Sequence, residues 1–238
     1  MRSIKRFLIV IAVLVLLLGV LDRVACWWAE NEGTGVLEKR GAENATVKVN
    51  DLPFLTSLIG GSINQVDVTI PRLDVAAEGG AIPITAVRAQ INQLDLTASR
   101  LNIDKIGQLR AEGNLSQEAF AQLVAKKVPG VKVKLEAGKL IFATQKWGQE
   151  ILAEGQLSLS GGADGLTPTL IVKPTALKTE LPRHLQARLN LPEFLPPINI
   201  PITGLPANVQ LSAVEVKADH LKFKLTGKNI PLQKHSVS

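Results

Sequence analysis

The sequence predicts an α+β protein: a long curved antiparallel sheet wrapped around one main helix, behind an N-terminal transmembrane or signal helix. Three observations predict it. Beyond Gly61 apolar and polar residues alternate through most of the chain, the period of strands with one wet face. One stretch, 117–128, replaces that period with helical spacing. At the N-terminus, Arg2, Lys5 and Arg6 precede an unbroken apolar run from Phe7 to Leu21.

The N-terminal run has the charged and apolar regions of an export signal, and positive charge stays on the cytoplasmic side, which directs the rest of the chain outward. As a helix it spans ~22 Å, short of the ~30 Å hydrocarbon core, so its length favours a cleaved signal. The residues after it favour an uncleaved anchor. Arg23 falls where small residues are wanted for cleavage, and it also spoils a lipobox at Val24-Ala25-Cys26. Arg23, Trp27 and Trp28 read as a membrane interface, the arginine snorkelling and the indoles forming an aromatic belt. Anchor, cleaved signal and lipoprotein remain open. Residues 1–28 are assigned to this segment, 29–232 to a single domain and 233–238 to a tail.

Within the domain, Val36–Arg40 reads as a helix end weakened by Gly33 and Gly35. Val47-Lys48-Val49 opens a strand. Pro53–Ile59 has helical apolar spacing and stops at Gly60-Gly61. Strands follow at Val66–Ile70, Val87–Ile91, Leu94–Leu96 and Leu101–Ile103. Ser116 caps a helix over 117–128, with Phe120, Leu123, Val124 and Val128 on one face and Lys126 and Lys127 at its end. Pro129-Gly130 ends it. Strands resume at Val131–Leu135, Leu140–Thr144, Ile151–Ser160 and Leu170–Lys173, and again at Val209–Val216 and Leu221–Leu225 about a turn at Asp219. Six prolines between 182 and 206 mark loop or sheet edge.

Little in the chain suits catalysis or metal chemistry. His184, His220 and His235 are far apart and lack neighbours at ligand spacing. No nucleophile elbow, P-loop or dinucleotide fingerprint occurs. Cys26 is the single cysteine, beside the apolar run and without a nearby histidine. No catalytic residue, metal ligand or cofactor is therefore assigned, and the chain is read as a non-enzyme. Aromatics make up 4%, too few for a stacking platform, so nucleic acid is excluded as a partner. Of the formal +6 charge, half comes from Arg2, Lys5, Arg6 and Arg23 against Asp22. The remaining excess suits an anionic membrane surface. Lys132 and Lys134 share one strand face, as do Lys222 and Lys224; they read either as solvated faces or as a ledge for phospholipid headgroups.

Three stretches resemble the LmeA-type family of actinobacterial envelope phospholipid-binding proteins. They are Leu21-Asp22-Arg23-Val24-Ala25 with Ala29–Glu32, then Leu52–Gly61 leading into Val66–Ile70, and finally the Leu205-Pro206, Leu211–Val214 and Leu225–Ile230 series. The resemblance implies a tubular lipid-binding fold shaped like bactericidal/permeability-increasing protein (BPI-like). It also implies a place at the cell membrane or envelope, on the extracytoplasmic side, with the N-terminus in the cytoplasm if uncleaved. The implied function is phospholipid binding, with lipid transfer or support of lipomannan-like glycolipid assembly. The alternative is a membrane-tethered adaptor for an envelope glycosyltransferase or cell-wall enzyme, with no lipid cavity. The expected partners are thus phospholipid, membrane and such a glycosyltransferase. Phe54, Leu55, Leu58 and Ile59, with Phe120, Leu123 and Val124, are the candidate acyl-chain lining; the competing reading of each is plain core packing.

Overall fold

The computed structural model describes residues 2–39, 41–77, 80–97, 102–146, 149–161, 167–179, 195–202 and 205–231, with side chains of the N-terminal helix from Val20 onward. The apolar side chains before Val20, most of the proline-rich stretch and the tail 233–238 lie outside these. Helix α1 (Arg2–Glu38) leads into short strands β1 (Ala42–Glu43) and β2 (Thr46–Val49) and helix α2 (Phe54–Ile59). Three long strands follow: β3 (Ser62–Ala77), β4 (Gly80–Thr97) and β5 (Asn102–Ser116). After helix α3 (Gln117–Lys127) come β6 (Lys132–Glu136), β7 (Lys139–Lys146), β8 (Gln149–Ser160), β9 (Thr169–Leu177), β10 (Ile198–Pro201), β11 (Val209–Val216) and β12 (His220–Pro231).

The strands form two antiparallel sheets where the sequence reading expected one. The seven-stranded sheet has the order β1-β3-β4-β5-β12-β11, with β2 also on β3; the five-stranded sheet runs β10-β9-β8-β7-β6. The division falls at α3. Ser116 leaves β5 and caps the helix, its hydroxyl accepting from the Ala119 N–H at 3.2 Å. After Pro129-Gly130 the chain starts a new ladder at β6. Helix α3 therefore packs on β6 of one sheet and on β5 and β12 of the other, joining the two instead of lying inside a single curled sheet. β10, from the proline-rich stretch, takes an edge position.

Helix α1 is also longer than its sequence suggests, running unbroken through residue 28 for 37 residues. Its inner face is tied to the sheet. Asp22 Oδ1 accepts from the Leu55 N–H at 2.7 Å, and Glu30 Oε1 accepts from the Val49 N–H at 2.8 Å. Fully buried Cys26 lies between them. These bonds satisfy the first turn of α2 and the free edge of β2, backbone groups that would be costly to leave unpaired.

Two kinks reset the alternation of the seven-stranded sheet. At one, Gln93 (φ 59°) and Asn229 (φ 49°) adopt left-handed backbone, and a Cβ on Gly107 would sit 2.8 Å from the Gln93 Cβ. Ile63, Leu94 and Ile106 consequently join Val66 and Ile91 in one cluster despite their odd spacing. At the other, Ala86 (φ 49°) lies in a register shift between Thr85 and Arg88. Gly113 makes room there, since its Cβ would lie 2.9 Å from Ile84 Cγ2 and 3.4 Å from Val87 Cγ2.

Three apolar clusters result among the described residues. One unites α3 (Phe120, Val124) with the five-stranded sheet (Leu135, Leu140, Phe142, Val172) and with Leu115 and Leu221. A second gathers Cys26, Val49, Phe54, Ile63, Val66 and Leu94 beneath α1 and α2. The smallest holds Ala42, Ala45 and Ile70.

Candidate functional site

Strand register assigns the two faces of the seven-stranded sheet. Asp67, Gln90, Arg110 and Thr226 are aligned across β3, β4, β5 and β12, and two residues along each strand so are Thr69, Arg88, Glu112 and Lys224. Between these rows run Val68, Ala89, Ala111 and Leu225, whose side chains project to the opposite face. On the polar face the two charged rows wall a furrow of about 490 Å³ that crosses four strands and reaches Ser212 of β11. Arg88, Arg110 and Lys224 stand in it against Asp67 and Glu112. Val68, Ala89, Ala111 and Leu225 of the intervening row also border it.

The opposite face carries an apolar strip. Ala89 pairs with Ala111, Ala111 with Leu225 and Leu225 with Leu211, and Leu109 adjoins on β5. All five are half-buried, and none of the three clusters of described residues includes them. The strip lies between the cluster under α1 and α2 and the cluster around α3. Its two alanines keep the surface low while Leu109, Leu211 and Leu225 border it, so extended hydrocarbon can lie there against aliphatic carbon. Alternation in the sequence shows that these residues share a face. Their alignment across four strands depends on register and on the two kinks, which sequence spacing does not reveal.

The expected acyl-chain lining is not one group in space. Phe54 and Leu58 belong to the cluster under α1, whereas Phe120, Leu123 and Val124 belong to the one around α3. Phe54, Phe120 and Val124 are at most 2% exposed. Leu55, Leu58 and Leu123 are half-buried. Ile59 points outward, 87% exposed.

The lysine pairs also separate: Lys132 and Lys134 are exposed on β6 of the five-stranded sheet, whereas Lys222 and Lys224 are half-buried on β12 of the other. Lys222 Nζ lies 2.7 Å from Glu112, and Lys224 is bound to Glu215. Hydrogen bonds from Lys224 and Lys217, then their charges, pull the Glu215 carboxyl down to about 2. The Lys222 hydrogen bond likewise lowers Glu112, so the charges of Lys222 and Lys224 are opposed by carboxylates. Among the described residues neither Lys132 nor Lys134 has a carboxylate within 4.0 Å.

A family model described as LmeA-like phospholipid-binding matches residues 20–226. The chain belongs to this family. No curated protein and no solved structure matches it. The match begins at Val20, so the family region includes the part of α1 that carries Asp22, Cys26 and Glu30 as well as both sheets. The LmeA-like family is defined by binding phospholipid, not by a reaction.

The remaining candidates lie on α1. Arg23, Trp27 and Trp28 are exposed on α1, the tryptophans by 64% and 59%. Cys26 faces inward, and burial first, then the Glu30 charge, pushes its thiol up; a thiol so held is a poor nucleophile. Among the described residues no group of three or more His, Cys, Asp or Glu could hold a metal ion. No helix of the described residues is long and apolar enough to cross a membrane.

Proposed function

We propose that the chain holds a phospholipid with its acyl chains along the strip of Ala89, Leu109, Ala111, Leu211 and Leu225, outside a membrane to which its N-terminal helix tethers it. The observation that carries this reading is the strip itself: aliphatic, continuous in register, half-buried, and claimed by no core cluster of described residues. Each methylene buried against it contributes about 0.8 kcal/mol, so partial insertion of two acyl chains gives useful affinity with no catalytic group. Leu55 and Leu58 at one end and Leu123 at the other extend the contact surface. Phe54, Phe120 and Val124 hold those ends rigid.

The envelope setting belongs to the same proposal, supported by the basic-then-apolar N-terminus and by Arg23, Trp27 and Trp28 at the interface. So does the supply of lipid to a membrane glycosyltransferase that assembles lipomannan-like glycolipid. The chain acts by binding and presenting lipid, without turnover. The test replaces Ala111 and Leu225 with Gln in the full-length protein and measures phospholipid retained after exhaustive detergent exchange. Retention falls several-fold with circular dichroism unchanged. Equal retention in a folded variant removes the strip from the account.

A further inference from the structure

The second exposed apolar feature of the molecule is not on the sheet. Ile59 and Leu52 are 87% and 73% exposed, more than any other large hydrophobic side chain among the described residues. They flank α2. From Leu52 to Val66 the sequence contains no Asp, Glu, Lys or Arg, in a chain that is 20% charged. Asp51, which precedes this stretch, is turned inward, accepting from the Asn64 and Gln65 N–H groups at 2.8 and 3.0 Å. The segment thus presents aliphatic side chains, the hydroxyls of Thr56, Ser57 and Ser62, the amides of Asn64 and Gln65, and glycine, but no charge.

Its position relative to α1 decides what it meets. Val20, Leu21, Val24, Trp27 and Trp28 are all more than half exposed, and at 3.6 residues per turn they fall on one side of the helix, opposite Asp22 and Cys26. This face continues the Phe7–Leu21 apolar run. Asp22 Oδ1 accepts from the Leu55 N–H, which fixes the start of α2 at the level of Asp22. That level is five residues, or ~7.5 Å of helix rise, on the N-terminal side of Trp27. A bilayer that places Trp27 and Trp28 in its interface therefore reaches α2 as well.

We propose that residues 52–66 are a second bilayer-inserting edge of the domain, with Ile59 and Leu52 entering the acyl region beside α1. The inference rests on the membrane-tethered, lipid-binding reading and adds the route. Inserted there, α2 seats one end of the seven-stranded sheet in the bilayer, so that an acyl chain passes from membrane to strip along Leu58 and Leu55 without crossing water. A bilayer fits this edge better than a protein does because the edge has no charge to fix register and because it continues an apolar helix.

The test uses the full-length chain in phosphatidylcholine–phosphatidylglycerol vesicles. Single cysteines replace Leu52, Ile59 or Ala137 in a Cys26→Ala background, each carrying an environment-sensitive fluorophore. Ala137 is exposed in the β6–β7 turn, where the neighbouring Gly138 N–H bonds to Val216 at the α3 end. Labels at 52 and 59 show blue-shifted emission and are quenched several-fold more by spin-labelled phospholipid than the label at 137. Emission at 52 and 59 as aqueous as at 137 overturns the proposal. Blue-shifted emission without lipid quenching also overturns it and identifies a protein, a second copy included, as the occupant. Phospholipid retention measured on the same samples keeps the two readings apart: aqueous labels with normal retention sink only the inserting edge, whereas lost retention in the unsubstituted chain sinks the lipid-binding reading beneath it.

Discussion

Asp51 shows how one side chain organises the α2 end. Burial opposes its ionisation, yet hydrogen bonds from the Asn64 backbone, Ser57, the Gln65 backbone and the Asn64 amide outweigh that and lower its pKa. A carboxyl whose folded pKa lies below its unfolded one contributes stability above the unfolded value, ~4, and loses it as pH falls through the folded value. Asp51→Asn should therefore cost about 2 kcal/mol at neutral pH by urea denaturation. The variant should also lose part of the acid-side fall in stability, a change visible in the same titration run at decreasing pH. Gly107→Ala should cost about 1–3 kcal/mol by the same method, because the added carbon meets Gln93. Neither role was legible in the sequence. Asp51 depends on a strand that starts more than ten residues later, and Gly107 matters only through its cross-strand neighbour.

Among the elements, α3 and α2 were legible because their signals are local: a serine cap, a basic last turn, a proline start and a glycine stop. The full length of α1 was not, since Gly33 and Gly35 weaken the helix and its anchoring bonds to Leu55 and Val49 are tertiary. Strand positions followed from alternation, but their lengths and the division into two sheets depended on α3 interrupting the ladder. The same limit applies to the lysines, which spacing pairs correctly and which only the fold provides with carboxylates. Lys132→Gln with Lys134→Gln should weaken binding to anionic vesicles several-fold at low salt, with the difference shrinking as salt is raised. Lys222→Gln with Lys224→Gln should change it little, because Glu112 and Glu215 already oppose those charges. For Lys224→Gln alone that insensitivity should hold from neutral pH down toward the Glu215 value of about 2, and vesicle co-sedimentation across pH checks it.

At the scale of the molecule, the two sheets and three helices of the described residues leave buried clusters at both ends and an aliphatic strip between them. The sequence pointed to the lipid through its family likeness and its aliphatic composition, but it placed the lining on the helices, where Phe54, Phe120 and Val124 are buried in two separate clusters. The strip on β4, β5, β12 and β11 emerges only when register aligns Ala89, Ala111, Leu225 and Leu211. The most direct measurement is photoaffinity mapping. Full-length protein in vesicles containing a phospholipid with a diazirine on its acyl chain is irradiated, digested and sequenced by mass spectrometry. Adducts should concentrate on residues 87–91, 109–111 and 223–225, and should fall several-fold in the Ala111→Gln, Leu225→Gln variant. Adducts confined to residues 7–28, with the strands unlabelled, would contradict the account and leave a domain that touches lipid only through its tether.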